Sequence, residues 1–483
     1  MKKLIVIVFI IFGAFLTFSL YRTFAYDTSV VEEVPSTTDL EYTFKIGNSS
    51  IKQITVDSGE TRYYDIVLGN PNNAKISYSV YYEMVSPTTK PDGLRIGYTS
   101  KSTGTSTGKV DKNGNITLSI EVSNTSSSAV TVKIGTVAGY VKGGELTLNS
   151  GQVVIPKRVF PDIATEYVKS LDIGSTGDSG SGVYKVTHSA ITASSSATGS
   201  EIPAVTDYRY YGPNPNNYIC LDIEGGSTCP DKHLYRIIGS IYEEKENTNR
   251  LKVIKATPLT DGTTSAFSWD YTSSGSYSNI WATITSGNYS NSLTSGSQLM
   301  KLLNSGLWWN GTSGSYYNKS TTATNVNFTN YKLSDKAKSY ITTSRYYLGG
   351  NNTGNVTTPA MYGYERGTLR YTTASPLYWE GMVGLMYLSD YGYAAGDSCV
   401  NGTKLVDYDG GCMNKDWLYI SNTYQWGMSP NSYNTGNVFG FYSSVDVYGY
   451  SPNARSVRPV FYLNSSASIS EGDGTLDAPY ILS

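Results

Sequence analysis

Histidine is almost missing from this chain of 483 residues, which contains two, His188 and His233. Imidazole is the side chain that titrates near neutral pH and a common metal ligand, so this scarcity removes most acid–base and zinc chemistry. His188 lies in a Ser/Gly/Thr-rich segment, where we expect a solvated imidazole. His233 precedes a predicted strand, where we expect an edge position. The sequence contains no His-Glu-x-x-His motif, phosphate loop or dinucleotide fingerprint, and we expect no enzymatic activity and no cofactor.

Charge is also sparse. Charged residues make up 16% of the chain, and 37 Lys and Arg stand against 39 Asp and Glu, for a net charge of -2. This balance excludes a basic nucleic-acid-binding protein and a strongly acidic solvating segment. The chain is instead rich in tyrosine, with 43, and in glycine, with 48. The aromatic residues can build a core, so the composition indicates a β-rich extracellular protein rather than a disordered one.

An apolar run near the N-terminus predicts export. Lys2 and Lys3 precede residues 4–21, which carry no charge. As a helix this run would be about 27 Å long, close to the thickness of a bilayer core. The two lysines would hold its N-terminal end in the cytoplasm, so the rest of the chain is exported. Residues 1–26 are therefore predicted to be a signal or a membrane anchor: the protein is anchored and extracellular, or secreted if a site at 23–25 is cleaved.

The four cysteines fit an oxidising compartment. Cys220 and Cys229 bracket one short polar loop, and Cys399 and Cys412 bracket another. Four cysteines allow three pairings, of which these two local disulfides are the simplest. A metal site would need close paired cysteines or neighbouring histidines, and neither is present, so we expect no bound metal.

Residues 38–156 are predicted to form an all-β domain. Short apolar runs alternate there with Asn-Gly, Ser-Gly and Lys-Gly-Gly turn signals, at the spacing of about 8–12 residues that is typical of sandwiches. The pattern predicts an immunoglobulin-like sandwich that serves as a stalk. In residues 157–205 we predict one short helix near 162–171, followed by a flexible Ser/Gly/Thr-rich linker.

A different composition begins near residue 206, and all seven tryptophans follow it. Strands are predicted at 217–223, 234–242 and 251–256. Apolar residues at helical spacing predict helices at 297–307 and 333–341. Trp308 and Trp309 would pack into the core at the end of the first of these helices.

Several strings in this region resemble those of a known group of proteins. They are 207–212 (DYRYYG), 213–218 (PNPNNY), 234–239 (LYRIIG), 383–393 (VGLMYLSDYGY), 456–460 (SVRPV), and 472–475 (GDGT) with 479–480 (PY). Together they resemble uncharacterised surface proteins of Gram-positive-type bacteria. Their C-terminal modules are similar to C-type-lectin-like domains of the formylglycine-generating-enzyme and retroelement variable-protein type. The resemblance implies a mixed α+β head over 206–483, with a last strand at 457–463, structural roles for Arg458 and Pro459, and a displayed stretch at 427–455.

The displayed stretch supplies most candidate ligand-binding residues: Asn431, Tyr433, Asn437, Tyr442, Asp446, Tyr448 and Tyr450. Tyrosine and asparagine are favoured in binding surfaces because they combine a rigid ring with adaptable hydrogen bonding. Trp379 and Trp426 are candidate platforms for stacking sugars. The alternative is that these aromatic side chains are core and cross-strand packing in ordinary strands.

These observations predict a cell-surface binding or adhesion protein: a membrane anchor, a stalk, a linker and a lectin-like head for a glycan or protein ligand. One alternative is a structural component of the cell envelope, whose aromatic face packs permanently against a neighbour. The other is an enzyme, either of the cysteine-oxidising kind, which needs a free thiol, or a glycosidase using Glu365 and Glu380 as its carboxylate pair. Ion pairs explain the two glutamates equally well, and we do not expect the enzyme.

Overall fold

The computed structural model describes residues 43–46, 53–139 and 146–158 without 59, 73, 100, 101 and 125, and residues 164–482 without 173, 179, 227, 284–292, 372–375 and 443. The chain divides into two units, residues 1–159 and 160–483. The predicted signal or anchor lies outside the described residues. Within the described ranges, no helix has the length and apolar character needed to cross a membrane.

The first unit is built of antiparallel strands. They are β1 (Thr43–Ile46), β2 (Gln53–Val56), β3 (Thr61–Gly69), β4 (Ile76–Ser86), β5 (Leu94–Tyr98), β6 (Thr107–Val110), β7 (Asn115–Asn124), β8 (Val130–Gly139) and β9 (Gln152–Val154). In the part of this unit that the structure describes, one sheet has the order β1-β3-β7-β5. The second has the order β2-β8-β4-β6, with β9 beside β4.

Alternate residues of both sheets meet in one hydrophobic core. Val56, Leu118 and Ile134, from β2, β7 and β8, are all fully buried in it. This arrangement follows from the alternation of apolar and polar residues, because successive side chains of a strand point to opposite faces. The prediction of an all-β first unit is confirmed at this level. Its immunoglobulin-like class stays a prediction.

The second unit mixes strands and short helices. Its strands are β10 (Gly182–His188), β11 (Val205–Tyr211), β12 (Tyr218–Cys220), β13 (Leu234–Glu243), β14 (Thr248–Lys255), β15 (Phe267–Ser268), β16 (Ser313–Tyr316), β17 (Thr324–Asn327), β18 (Ile341–Thr342), β19 (Ser344–Tyr347), β20 (Tyr378–Gly381), β21 (Gln425–Pro430), β22 (Asn437–Phe441), β23 (Val445–Tyr450), β24 (Ala454–Arg455), β25 (Val460–Leu463), β26 (Ile469–Glu471) and β27 (Tyr480–Leu482). Its helices are α1 (Ala164–Lys169), α2 (Gln298–Asn304), α3 (Leu307–Asn310), α4 (Asp335–Ser339), α5 (Thr358–Glu365), α6 (Leu388–Ala394) and α7 (Asp397–Val400).

Nine of the described strands form the main sheet of this unit. Seven follow the order β18-β25-β14-β13-β12-β27-β26, while β11 pairs with β13 and β10 pairs with β11. The pair β12–β27 is parallel, and the other pairs of this sheet are antiparallel. The predicted final strand is therefore wrong, because β25 is followed by β26 and β27. Arg458 is buried and donates hydrogen bonds to the carbonyls of Lys255 and Leu418, in keeping with a structural role.

The predicted helices at 297–307 and 333–341 correspond to α2 with α3, and to α4. Ser297 caps α2, accepting a hydrogen bond from the backbone N–H of Met300. Trp308 is buried as expected, whereas Trp309 is only partly buried against the core. The indole N–H of Trp308 donates to the carbonyl of Tyr331 at 3.2 Å. The disulfide prediction is also confirmed: Cys220 pairs with Cys229, and Cys399 with Cys412, each at a Cα–Cα distance of 5.8 Å.

In residues 157–205 the predicted short helix is present as α1, but the flexible linker predicted after it is wrong for most of its length. Strand β10 pairs with β11 from Gly182 opposite Tyr211 to His188 opposite Val205. Ile202 is buried in the core of the second unit. The Ser/Gly/Thr-rich residues on both sides of β10 hid this strand, although its own sequence contains Val183, Tyr184 and Val186.

Candidate functional site

The predicted binding residues of 427–455 lie on or beside one small antiparallel sheet of order β21-β22-β23. Asn437 pairs with Tyr450 at one end of β22, and Phe441 pairs with Val445 at the other end. Tyr442 follows Phe441 and so lies at the second end. The structure brings Asn431, Tyr433, Asn437 and Tyr450 to one end of the sheet and separates Tyr442 from them.

The two candidate tryptophans are core residues. Trp379 is 0% exposed and Trp426 is 1% exposed. The indole N–H of Trp426 donates to the carbonyl of Phe267 at 2.8 Å, and Trp281 packs edge-on against Trp379. The prediction that these rings stack on sugars is therefore wrong. Burial of the large apolar ring explains both positions, and at Trp426 the single N–H donor is also satisfied inside.

The expectation of a fully displayed stretch at 427–455 is likewise wrong for β21 and β22, which are largely buried. The loop 431–436 between them includes exposed residues, and Tyr433 is 77% exposed. The buried Asn279 holds this loop: its side-chain nitrogen lies 3.1, 2.7 and 3.0 Å from the carbonyl oxygens of Asn431, Asn434 and Asn437. The loop therefore presents Tyr433 from a fixed backbone.

Three more tyrosines lie beside this loop. The ring of Tyr277 meets that of Tyr450 edge-on at 4.9 Å and lies parallel to that of Tyr271 at 6.3 Å. Glycine at position 436 leaves room for the Tyr277 ring, because a Cβ atom on Gly436 would lie 3.0 Å from that ring. We call Tyr271, Tyr277, Tyr433 and Tyr450 the tyrosine face.

The remaining candidates lie elsewhere. Tyr442 stacks on Tyr424 with ring centres 4.3 Å apart, and its hydroxyl lies 3.3 Å from the side-chain oxygen of Asn422. Asp446 and Tyr448 belong to β23, but their side chains lie outside what the structure describes. The sequence alone gave no reason to separate these positions from the tyrosine face, because all occur within one tyrosine-rich stretch.

Sequence reasoning missed a cavity of about 360 Å³ between β10 and helices α5, α6 and α7. His188 lines it and is 5% exposed, so the prediction of a solvated imidazole is wrong. Val186 lies directly opposite Asp207 in the β10–β11 ladder. Residues two apart on a strand share a face, so His188 projects on the same side as Asp207. The Nε2 atom of His188 lies 2.8 Å from a carboxylate oxygen of Asp207.

A buried charge network stands behind His188. Asp207 accepts hydrogen bonds from Arg209 at 2.7 and 3.1 Å, and Arg209 donates to Asp390 at 3.0 Å. Lys252 pairs with the other oxygen of Asp390. Asp207 and Arg209 belong to the string DYRYYG, and Asp390 belongs to VGLMYLSDYGY. The ion pair between Arg209 and Asp390 therefore connects the two motifs. The two strings were recognisable in the sequence, but nothing in the sequence indicated that Asp207, Arg209 and Asp390 form ion pairs with one another.

The network sets the protonation of its members. Burial by itself would raise the pKa of Asp207, but Arg209 and then His188 hold that pKa well below its usual value. Burial lowers the pKa of His188, although Asp207 opposes the shift. At pH 7 the arrangement is therefore an ionised Asp207 beside a neutral His188.

Glu365 and Glu380 have separate partners. Glu365 is fully buried and accepts hydrogen bonds from the backbone N–H of Ser389 at 3.0 Å and from its hydroxyl. Glu380 pairs with Arg345 at 2.8 Å. Glu365 is thus held by hydrogen bonds and Glu380 by an ion pair. These are structural roles, which the sequence analysis gave as the alternative to catalysis. All four cysteines are in disulfides, so the free thiol required by the cysteine-oxidising alternative is missing.

His233 is fully buried rather than at an edge, and it belongs to a cluster with Asp222 and Glu224. One potential ligand atom from each residue lies within 4.8 Å of the others. However, Lys232 lies 2.8 Å from Glu224, and Lys336 lies 4.0 Å from Asp222. These lysines supply positive charge to both carboxylates, so the geometry is that of an ion-pair cluster.

The chain was compared with protein-family models, with curated proteins and with solved structures, and none of the three comparisons finds a match.

Proposed function

We propose that this is a cell-surface binding protein whose second unit recognises a glycan or protein ligand through the tyrosine face. In this proposal residues 1–26 direct export and anchor the chain, the first unit is an immunoglobulin-like stalk, and the second is a C-type-lectin-like head. The observation that carries the proposal is Tyr433, which is 77% exposed on a loop held by Asn279.

The energetics favour this position as an anchor for a ligand. Covering a large apolar side chain that was fully exposed contributes about 1.5–3 kcal/mol, and the largely exposed ring of Tyr433 offers most of this to a ligand. Because the loop is already fixed, little backbone freedom is lost when the ligand binds. The neighbouring Tyr277 and Tyr450 extend the surface with further rings and hydroxyls.

The test uses the full-length chain in detergent, applied to an array of bacterial and host glycans and to immobilised laminin, fibronectin and collagen. Tyr433→Ala should weaken retention at least tenfold without changing the melting temperature, because truncating an exposed anchor removes contact area and leaves the core intact. The matched control is Tyr371→Ala, which truncates another exposed tyrosine of the same unit, outside the tyrosine face.

A specific hit on a glycan or on a matrix protein identifies the ligand class. Equal retention by Tyr433→Ala and the unmodified chain would show that the tyrosine face is not the binding surface. If the chain binds only to immobilised copies of itself, and Tyr433→Ala abolishes that contact, the envelope-assembly alternative replaces adhesion.

A further inference from the structure

The imidazole of His188 is held rigidly at the wall of the 360 Å³ cavity. The ring of Tyr362 stacks on it with centres 3.7 Å apart and planes 4° apart, and Tyr393 meets it edge-on at 5.4 Å. Arg366 lies 3.5 Å from the centre of the same Tyr362 ring. Two groups this close to one ring centre must occupy opposite faces, so Tyr362 is clamped between Arg366 and His188.

The partner of Nε2 fixes the tautomer. An ionised carboxylate only accepts hydrogen bonds, so the Nε2–H group of His188 donates to Asp207. The neutral ring then carries its lone pair on Nδ1. No described residue hydrogen-bonds to Nδ1, and the ring lines the cavity. The cavity therefore contains one fixed, neutral nitrogen acceptor.

The rest of the lining suits a ligand without net charge. Among the described lining residues, Lys185 and Asp397 contribute one charge of each sign. Because these two charges have opposite signs, the lining as a whole favours neither an anion nor a cation. Asn401 adds a neutral hydrogen-bonding group, and the tyrosine rings add apolar faces. A volume of about 360 Å³ is near the lower end of small-molecule pockets.

We propose that this cavity binds one neutral, hydroxyl-rich unit, such as a single sugar, and that Nδ1 of His188 accepts a hydrogen bond from a ligand hydroxyl. Sugar C–H groups would pack on the tyrosine rings, while the amide group of Asn401 would bind a further hydroxyl. The site shares no residue with the tyrosine face, so this proposal stands or fails independently of the proposed function.

The scarcity of histidine gives a direct assay. With ¹³C label at the histidine Cε1 position, the full-length chain gives two imidazole signals, one each for His188 and His233. The probes are the methyl glycosides of glucose, galactose, mannose and N-acetylglucosamine. At least one should shift the His188 signal saturably at millimolar concentration and leave the His233 signal in place.

Two substitutions test the contact and the location. His188→Gln keeps an amide donor for Asp207 but replaces the acceptor at Nδ1 with an amide oxygen in a different position, and it should weaken glycoside binding at least tenfold by calorimetry. The matched control is His233→Gln, which should bind as the unmodified chain does. Gly363→Leu provides a second variant, because Gly363 lines the cavity and a Cβ atom there meets nothing within 4 Å. Its side chain should fill the cavity and abolish binding, whereas Gly363→Ala should retain it.

Three results would overturn the proposal. The first is that no glycoside moves the His188 signal. The second is that a folded Gly363→Leu variant binds with unchanged affinity, which places the sugar elsewhere. The third is that short peptides, and not glycosides, shift the His188 signal, which makes the cavity a peptide site along β10.

Discussion

Replacing Asp207 with asparagine tests the buried charge network behind the cavity. Asp207 is 1% exposed and accepts hydrogen bonds from His188, from Arg209 and from the backbone N–H of Tyr242. Asparagine has nearly the same shape but is neutral, so the substitution removes the charge and leaves the packing in place. Arg209 then keeps Asp390 as its remaining carboxylate partner, and Asp390 is shared with Lys252.

The expected loss follows from the burial of both charges. Removing one partner of a buried ion pair costs about 3–5 kcal/mol when the other charge loses its compensation. Here Asp390 is already shared with Lys252 and compensates Arg209 only in part. We therefore expect Asp207→Asn to lower the free energy of unfolding of the second unit by about 3–5 kcal/mol. An exposed pair gives the comparison: Glu166 pairs with Lys169 at 2.7 Å on α1, and Glu166→Gln should cost less than about 0.5 kcal/mol.

Tryptophan fluorescence during urea unfolding is the appropriate assay. All seven tryptophans lie between residues 269 and 426, so the signal comes from the second unit alone. The difference between the two variants, measured under identical conditions, isolates the effect of burial. A loss below about 1 kcal/mol for Asp207→Asn would refute the reasoning, since it would mean that Arg209 is compensated without Asp207.

Three further predictions concern other parts of the chain. Replacing Cys220 and Cys229 with alanine should destabilise the second unit by about 2–3 kcal/mol in urea, because their disulfide closes a loop with a sequence separation of 9. Burial raises the pKa of Glu365 to about 7, so its stabilising contribution is complete below about pH 4.5 and is lost as the pH rises through 7. Glu365→Gln should therefore gain stability relative to the unmodified chain between pH 5 and pH 8, and parallel pH profiles would contradict this. Leu118→Ala should destabilise the first unit by about 2–5 kcal/mol in far-ultraviolet circular dichroism, because Leu118 is fully buried.

Local patterns in the sequence predicted local structure well. Alternating apolar residues identified most strands of the first unit but not β6, and the spacing around residues 297–307 identified the helix before Trp308. The short polar loops identified both disulfides. In each case the signal lies within a few residues of the feature that it predicts.

The cavity was not predictable in this way, because its parts are distant in sequence. His188 meets Tyr362 and Tyr393 only through the packing of β10 against α5 and α6. The exposure of aromatic residues was equally hidden. Trp426 and Tyr433 occur in the same polar, aromatic stretch, yet one is in the core and the other is on the surface. Which of them faces solvent is decided by long-range packing, and neither composition nor spacing reports it.

The position of β27 has a consequence for the order in which the chain folds. This strand lies between β12 and β26 in the main sheet, and Ile219 pairs with Tyr480. During synthesis from the N-terminus, β12 has no neighbour on that side until residues 480–482 arrive. The first unit pairs its strands within a shorter stretch of chain and can fold while the second is still being made. The edge of β12 is thus open to mispairing from the time β12 is made until β27 follows, which is most of the synthesis of the second unit.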